Sequence, residues 1–290
     1  MKRVIFSVYK EVNDNSVTDY KKEQLKLYKD KLIKRQHDYA KFCGADYFVF
    51  ENNNFVVDEY NSIQFFKIYQ FEKLADEYDE ILYLDLDIIP FKFINFFENQ
   101  DLSKLCCFKQ DGEEWGLKRY FSDKTVKYKY QVDRKNYQYF YSLDSQNWYI
   151  KACAKNAMLL LGDYGKLNNM IINTGVLGGN KELIKSINFS NQLNDMIKLM
   201  EEAKEDNLYP DDISKLIKPN NEVFLTYLVE KNNIPVNNMN EIWNYIQDDL
   251  KCGMFSPQGH YKKSDIWKKI IFLHLINKLF EKFDRKYNIF

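Results

Sequence analysis

Two aspartates, two residues apart, close an apolar run: Ile81-Leu82-Tyr83-Leu84-Asp85-Leu86-Asp87-Ile88-Ile89-Pro90. In an extended chain residues i and i+2 point to the same side, so the two carboxylates share a face. Side by side they repel each other unless a cation lies between them. A hard divalent ion such as Mg²⁺ or Mn²⁺, held by one or two carboxylates and completed by substrate phosphates, meets that need. The apolar residues before the pair read as a strand buried on both faces, and the carboxyl edge of such strands is where open α/β sheets place ligands. A strand merely capped by acidic turn residues would give the same letters.

The elements that must position this pair follow from periodicity. Arg3 to Tyr9 reads as a first strand, followed by a polar loop from Lys10 to Thr18. Thr18 or Asp19 can cap a helix whose apolar face carries Leu25, Tyr28, Leu32, Tyr39 and Phe42, and which stops at Gly44. Asp46 to Phe50 is a second strand. After the Asn52-Asn53-Asn54 turn, Ser62 opens a second helix that turns Ile68, Phe71, Leu74, Ala75 and Tyr78 toward the core and delivers the chain to the Asp85 strand. Strand, helix, strand, helix, strand argues for a parallel sheet of nucleotide-binding type. Lys118 to Tyr149 is rich in Tyr and Lys and has no clear period, which suits a flexible or β-rich excursion over the site or a plain surface insertion. Met170 to Gly179 reads as a short strand bending at its glycines, with helices over Lys181 to Ala203 and Asn221 to Lys231. No repeat or Pro/Gly/Ser linker divides the chain, so one domain over 1–290 is expected.

Composition excludes several classes. The chain has 290 residues, enough for one large α/β domain, and a hydrophobic fraction of 45% supports a core. A formal net charge of +0 gives no reason to expect a nucleic-acid partner. The five cysteines form no C-x-x-C pair and do not look like a disulfide framework, so a reducing, cytoplasmic setting is expected. The apolar run at the amino terminus breaks too early for a signal peptide. No segment reaches the roughly 18 apolar residues of a membrane span; Ile270 to Ile276 is the longest candidate, a helix-like run interrupted by His274.

Four pieces of the chain, in the right order, resemble the GT-A fold glycosyltransferases that use an Asp-x-Asp motif, and most closely family 8, the group of glycogenin and the bacterial lipopolysaccharide galactosyl- and glucosyltransferases. Ser62-Ile63-Gln64-Phe65-Phe66-Lys67 matches a helix bearing a basic residue before the motif, Tyr83-Leu84-Asp85-Leu86-Asp87 the motif strand, Asn173-Thr174-Gly175-Val176 a later strand, and His274 with Lys278 a late His and Lys. The resemblance implies an α/β, Rossmann-like, mixed and mainly parallel sheet flanked by helices, with 1–110 as the nucleotide-sugar half and 111–290 as the acceptor side. It implies transfer of a hexose from a nucleotide-diphosphate sugar, a UDP-sugar by preference, to a saccharide, glycolipid or glycoprotein in glycan biosynthesis, with retention. Asp85, Asp87 and His274 would hold the metal, the imidazole favouring Mn²⁺ over Mg²⁺. That ion, with Lys278 and Lys67, would stabilise the charge that collects on the diphosphate as the glycosidic bond breaks. Tyr9 would stack on the base, Asn173 would bond sugar hydroxyls, and Gly175 would let backbone approach the ligand.

The chain also departs from the family. Its late motif, His274-Leu275-Ile276-Asn277-Lys278, is shorter than His-x-x-Gly-x-x-Lys and lacks the glycine, and the Asp-Gln pair that faces the reacting sugar falls on Asn221-Glu222. Two other readings compete. A haloacid dehalogenase-type phosphatase also ends an apolar strand with Asp-x-Asp, and Asp211-Asp212 could imitate its later acidic pair; a noncatalytic carbohydrate-binding protein is the third. Finally, Ile276, Leu279, Phe280 and Phe283 share one face of a helix whose other side carries Lys278, Lys282, Arg285 and Lys286, a pattern that fits either a helix docked on its own domain or peripheral contact with an anionic membrane.

Overall fold

The computed structural model describes residues 1–10, 18–51, 59–111, 143–162, 167–168, 170–209, 214–246, 268–275, 278–288 and 290. The turn at Asn52 to Asn54, most of the Lys118 to Tyr149 stretch, Asp211-Asp212, Ile276-Asn277, Cys252 and most of the loop after Lys10 lie outside the described residues. Two compact units are formed: one from Met1–Phe108, Thr174–Ser186 and Val236–Phe290, the other from Lys109–Asn173 and Ile187–Pro235.

The first unit is built on the expected mixed, mainly parallel sheet with helices at its flanks. Strands β1 (Arg3–Val8), β2 (Asp46–Phe50) and β3 (Glu80–Leu84) are parallel, with Ile5 opposite both Tyr47 and Leu82. The crossovers are helices α1 (Asp19–Phe42) and α2 (Glu59–Leu74). Val4 to Val8 are all buried, as a strand covered on both faces requires. Helix α1 stops where Gly44 takes a left-handed φ of 65°. The Gly44 and Ala45 N–H groups then donate back to the carbonyls of Lys41 and Ala40, closing the last turn. After a short helix α3 (Phe96–Asn99), strand β5 (Leu105–Asp111), helix α4 (Leu143–Leu161), strand β6 (Met170–Asn180), helices α5 (Lys181–Ile187), α6 (Phe189–Glu205) and α7 (Asn221–Lys231), and strand β7 (Val236–Asn238) complete the chain to this point. The sheet order is β2-β1-β3-β6-β5-β7, with β6 antiparallel to β3 and β7 parallel to β5.

Several local expectations are corrected. The Asp85 run is not one strand. Ile88 N–H donates to the Asp85 carbonyl at 2.9 Å, a tight turn that ends β3 at Leu84 and sends β4 (Ile88–Pro90) into a second, three-stranded sheet. That sheet also contains β8 (Tyr245–Ile246) and β9 (Phe272–His274), in the order β4-β9-β8. The apolar run around His274 is therefore strand and not helix. A short apolar run carries no period that tells the two apart, and its pairing partners lie far away in sequence. Strand β6 runs straight through its glycines; a Cβ on Gly178 would come within 2.5 Å of the Phe96 ring, so that glycine admits a packed side chain and makes no bend. The helix expected over Lys181 to Ala203 is broken at Asn188, whose φ of 51° is left-handed.

The carboxyl-terminal helix α8 (Phe280–Tyr287) is docked. Phe280 and Phe283 are buried in a cluster with Tyr28, Leu32, Leu273 and Leu275, and Lys31 pairs with Asp284 at 3.2 Å. Of the apolar residues that suggested membrane contact, Phe280 and Phe283 are thus spent on the protein's own core, with Leu279 packed against it. Among the described residues no helix is long and apolar enough to cross a membrane.

In the second unit α4, α6 and α7 pack together. Helix α4 occupies the end of the stretch in which no period was legible. Helix α7 has the bounds expected from the sequence, its first turn capped by Asn220, whose side-chain oxygen accepts from the N–H groups of Glu222 and Val223. Inside this unit Lys155 is wholly buried, its ammonium donating to the Asn168 carbonyl (2.9 Å), the Asn168 side chain (2.7 Å) and Glu230 (3.2 Å).

Candidate metal centre

The turn between β3 and β4 is held from beneath by a buried amide. Gln36, on α1, donates from Nε2 to the carbonyls of Asp85 (3.0 Å) and Ile88 (2.8 Å), the two ends of the turn. Its Oε1 accepts from the Tyr47 hydroxyl at 3.0 Å and from Ser7, whose hydroxyl is also 2.7 Å from the Leu84 carbonyl. From the other side Asp85 N–H donates to the Gly175 carbonyl of β6 at 2.8 Å. The bonds to the Leu84, Asp85 and Ile88 carbonyls and from the Asp85 N–H hold backbone, so the side chains of Asp85 and Asp87 are aimed by the fold and not by each other.

The second sheet brings the third group. Ile88 pairs with His274 across β4 and β9, and Leu275 N–H donates to the Asp87 carbonyl at 3.2 Å. As a result one ligand atom from each of Asp85, Asp87 and His274 lies within 4.8 Å of the others. Asp87 and His274 are buried and Asp85 is half-buried. His274 Nε2 is 3.5 Å from Asp87 Oδ2, while its Nδ1 is 3.0 Å from the side-chain oxygen of buried Asn244.

Two lysines attend the carboxylates. Lys67 of α2, buried, donates to Asp85 Oδ1 at 3.1 Å and lies 5.2 Å from the Tyr83 ring centroid, while the Tyr83 hydroxyl donates to the same oxygen. Lys278 donates to Asp87 Oδ2 from a residue with a left-handed φ of 55°, its own N–H closing onto the Leu275 carbonyl at 2.9 Å. Burial works to raise the Asp87 carboxyl, but the charges and hydrogen bonds of Lys278 and His274 outweigh it and hold the group well below the usual carboxylate range. Burial, reinforced by the Asp85 charge, pushes the Tyr83 phenol far up, so it remains a donor. Two carboxylates and one imidazole, fixed in place, form a donor set that fits a divalent ion.

The other residues singled out in the sequence are placed as follows. Tyr9 continues β1, with its N–H on the Phe50 carbonyl at 2.9 Å; Lys29 lies 4.3 Å from its ring centroid, so one ring face is already covered. Gly175 sits in β6 and receives the Asp85 N–H. In the second unit Asn173 Nδ2 is 3.4 Å from Glu222 Oε1, and Lys151 of α4 pairs with the other oxygen of Glu222. Asn221, in the first turn of α7, is buried. Sequence reasoning missed Gln36, Asn244 and Lys151. For Gln36 a signal existed: it falls on the Tyr28, Leu32, Tyr39 face of α1, where a polar side chain must find partners inside.

No protein-family model and no curated protein sequence matches the chain. Among solved structures it is similar to a glycosyltransferase involved in the glycosylation of the major capsid of PBCV-1, with 13% identity, 95% of each chain covered and a TM-score of 0.46. It is also similar to an active-site mutant of LgtC, with 10% identity over 94% of this chain and 87% of that one and a TM-score of 0.47. A third similar structure is the galactosyltransferase LgtC in complex with donor and acceptor sugar analogues, with 13% identity over the same shares of the two chains and a TM-score of 0.40.

Proposed function

We propose that the chain is a metal-dependent glycosyltransferase that moves a hexose from a nucleotide-diphosphate sugar, a UDP-sugar by preference, to a saccharide, glycolipid or glycoprotein acceptor, with retention of configuration. The observation that carries this reading is the convergence of Asp85, Asp87 and His274 at the end of a buried strand, flanked by Lys67 and Lys278. A bound Mn²⁺ would supply Lewis-acid stabilisation of the diphosphate leaving group. Asp85, Asp87 and the His274 Nε2 would hold that ion. Lys278, 23% exposed at its side chain, is the cation able to reach from Asp87 to phosphate oxygens, whereas buried Lys67 is fixed on Asp85. Tyr9 would stack on the base.

Glu222 would face the transferred sugar, with Asn173 bonding hydroxyls beside it and Lys151 keeping the Glu222 carboxylate paired. The phosphatase alternative needs Asp85 as a nucleophile. Its Oδ1 is engaged by Lys67 and Tyr83, an arrangement that blunts a nucleophile and suits a ligand. The four described cysteines are free and buried, in keeping with a reducing compartment. The test is hydrolysis of a panel of UDP-, GDP- and CDP-sugars with Mn²⁺ and with EDTA. The reading expects release of nucleotide from a UDP-sugar in Mn²⁺ alone; turnover undiminished by EDTA, or cleavage of p-nitrophenyl phosphate in its place, would overturn it.

A further inference from the structure

We propose that Asn244 is a positioning residue for His274, so that the metal affinity of the chain depends on an amide that itself touches no metal. The inference rests on the metal centre proposed above. His274 Nδ1 is 3.0 Å from Asn244 Oδ1, and the two residues are 5% and 1% exposed. An amide oxygen can only accept, so this bond requires the imidazole proton to be on Nδ1. In a neutral ring the lone pair is then on Nε2. Nε2 is the nitrogen that faces the carboxylates, 3.5 Å from Asp87 Oδ2. Asn244 therefore selects the tautomer that can ligate on the side where the other ligands stand.

The amide is itself held rigidly. It follows a single 3-10 turn, Glu241–Trp243, whose start is capped by Asn240 accepting from Ile242 N–H at 3.2 Å. Asn244 N–H closes that turn on the Glu241 carbonyl at 3.2 Å. The chain then enters β8, where Ile246 pairs with His274. The orienting side chain thus stands on the residue that leads into β8, the strand paired with the one that carries the ligand, and both side chains are buried. Outer partners of metal-bound imidazoles act in this way by fixing the ring and its tautomer.

Two variants separate the acceptor from the packing. Asn244→Leu removes the acceptor; Asn244→Asp keeps an oxygen in its place. Mn²⁺ affinity is read from the electron paramagnetic resonance of the free ion. The ligating nitrogen is read from ¹⁵N spectra with diamagnetic Cd²⁺, which are simple because the chain has three histidines. Asn244→Leu is expected to weaken Mn²⁺ binding about 10- to 100-fold, while Asn244→Asp retains or exceeds the wild-type affinity. Wild-type chain is expected to carry Cd²⁺ on His274 Nε2 with a slowly exchanging Nδ1–H. Equal affinity of wild type and the Leu variant, equal losses in both variants, or Cd²⁺ on Nδ1 would overturn the role of Asn244 and leave the metal centre standing. Failure of the wild-type chain to take up Mn²⁺ would sink the metal-centre reading and this inference with it. Should the Leu variant not fold, the Asp variant and the wild-type Cd²⁺ spectrum still decide.

Discussion

In the first unit Lys67 and Lys278 reach carboxylates that His274 also faces; in the second, Lys155 lies wholly inside and meets Glu230 and both oxygens of Asn168. The pairing chemistry is the same, yet the groups are used differently. Around Lys155 the ammonium is surrounded by acceptors drawn from one helix and one loop, and its three protons are accounted for locally. Around Asp85 and Asp87 two cations and an imidazole converge on carboxylates with lone pairs to spare, and Asp85 keeps 28% of its side chain open. A saturated buried charge holds a fold in register, while an unsaturated, partly open group of like charges is arranged for something else to bind.

The comparison can be broken at either end. The largest effect is expected from Asp87→Asn, which removes a charged ligand while leaving the turn's backbone bonds in place. Loss of several kcal/mol of metal-derived stabilisation amounts to a fall of about 10³-fold in Mn²⁺-dependent donor hydrolysis. A variant that turns over as fast as wild type would make the cluster an ordinary ion-pair network. Next comes Lys155→Met, which orphans Glu230 and the Asn168 oxygens and should lower unfolding free energy by about 3 kcal/mol, read from denaturant midpoints, with Mn²⁺ affinity unchanged. A loss of Mn²⁺ binding in that variant would erase the distinction between the two groupings.

Gln36→Leu sits between these extremes. It leaves buried carbonyls and hydroxyls unmet at a cost of about 1–3 kcal/mol, and it frees the turn, so stability and Mn²⁺ affinity should fall together. A stable variant with full affinity would show that the strands alone fix the carboxylates. Smaller still is the effect of acid. Because the folded-state Asp87 carboxyl is depressed, the stability it lends is fully present above the unfolded value of about 3.9 and is lost progressively as pH falls below it. The advantage of wild type over Asp87→Asn in denaturation midpoint should therefore begin to shrink below about pH 5 and go on shrinking as the pH falls further; parallel curves would mean that the ion pair lends no stability. The smallest effect concerns α8: with Phe280 and Phe283 buried, the 290-residue chain should show no cosedimentation with anionic vesicles at low salt. Binding there would mean that the basic face alone suffices.

What could be read in advance was local or periodic. The β2 and α7 bounds, the start of β1, the crossover helices and the strand before Asp85 follow from apolar spacing, caps and turn residues within short windows. His274 was found by type and misread in conformation, since its strand exists only through pairing with Ile88 and Ile246. Asn244 was invisible because asparagine is frequent in this chain and its partner is 30 residues away. The glycines of β6 looked like a bend because nothing near them in sequence announces the Phe96 ring. Helix α4 escaped because the stretch that leads into it shows no period.

The strand carrying His274 has a kinetic meaning too. Lys278 and Asp87 are 191 residues apart in the chain, and the three strands that unite them hold only two or three residues each. Closing so long a segment costs entropy that such short strands repay only when the rest of the unit is in place, so this small sheet belongs among the late events of folding. The βαβ portion, whose pairings are nearer in sequence, has no such wait. Appearance of Mn²⁺ affinity during refolding would then serve as a clock for completion of the unit, lagging behind the recovery of helix signal.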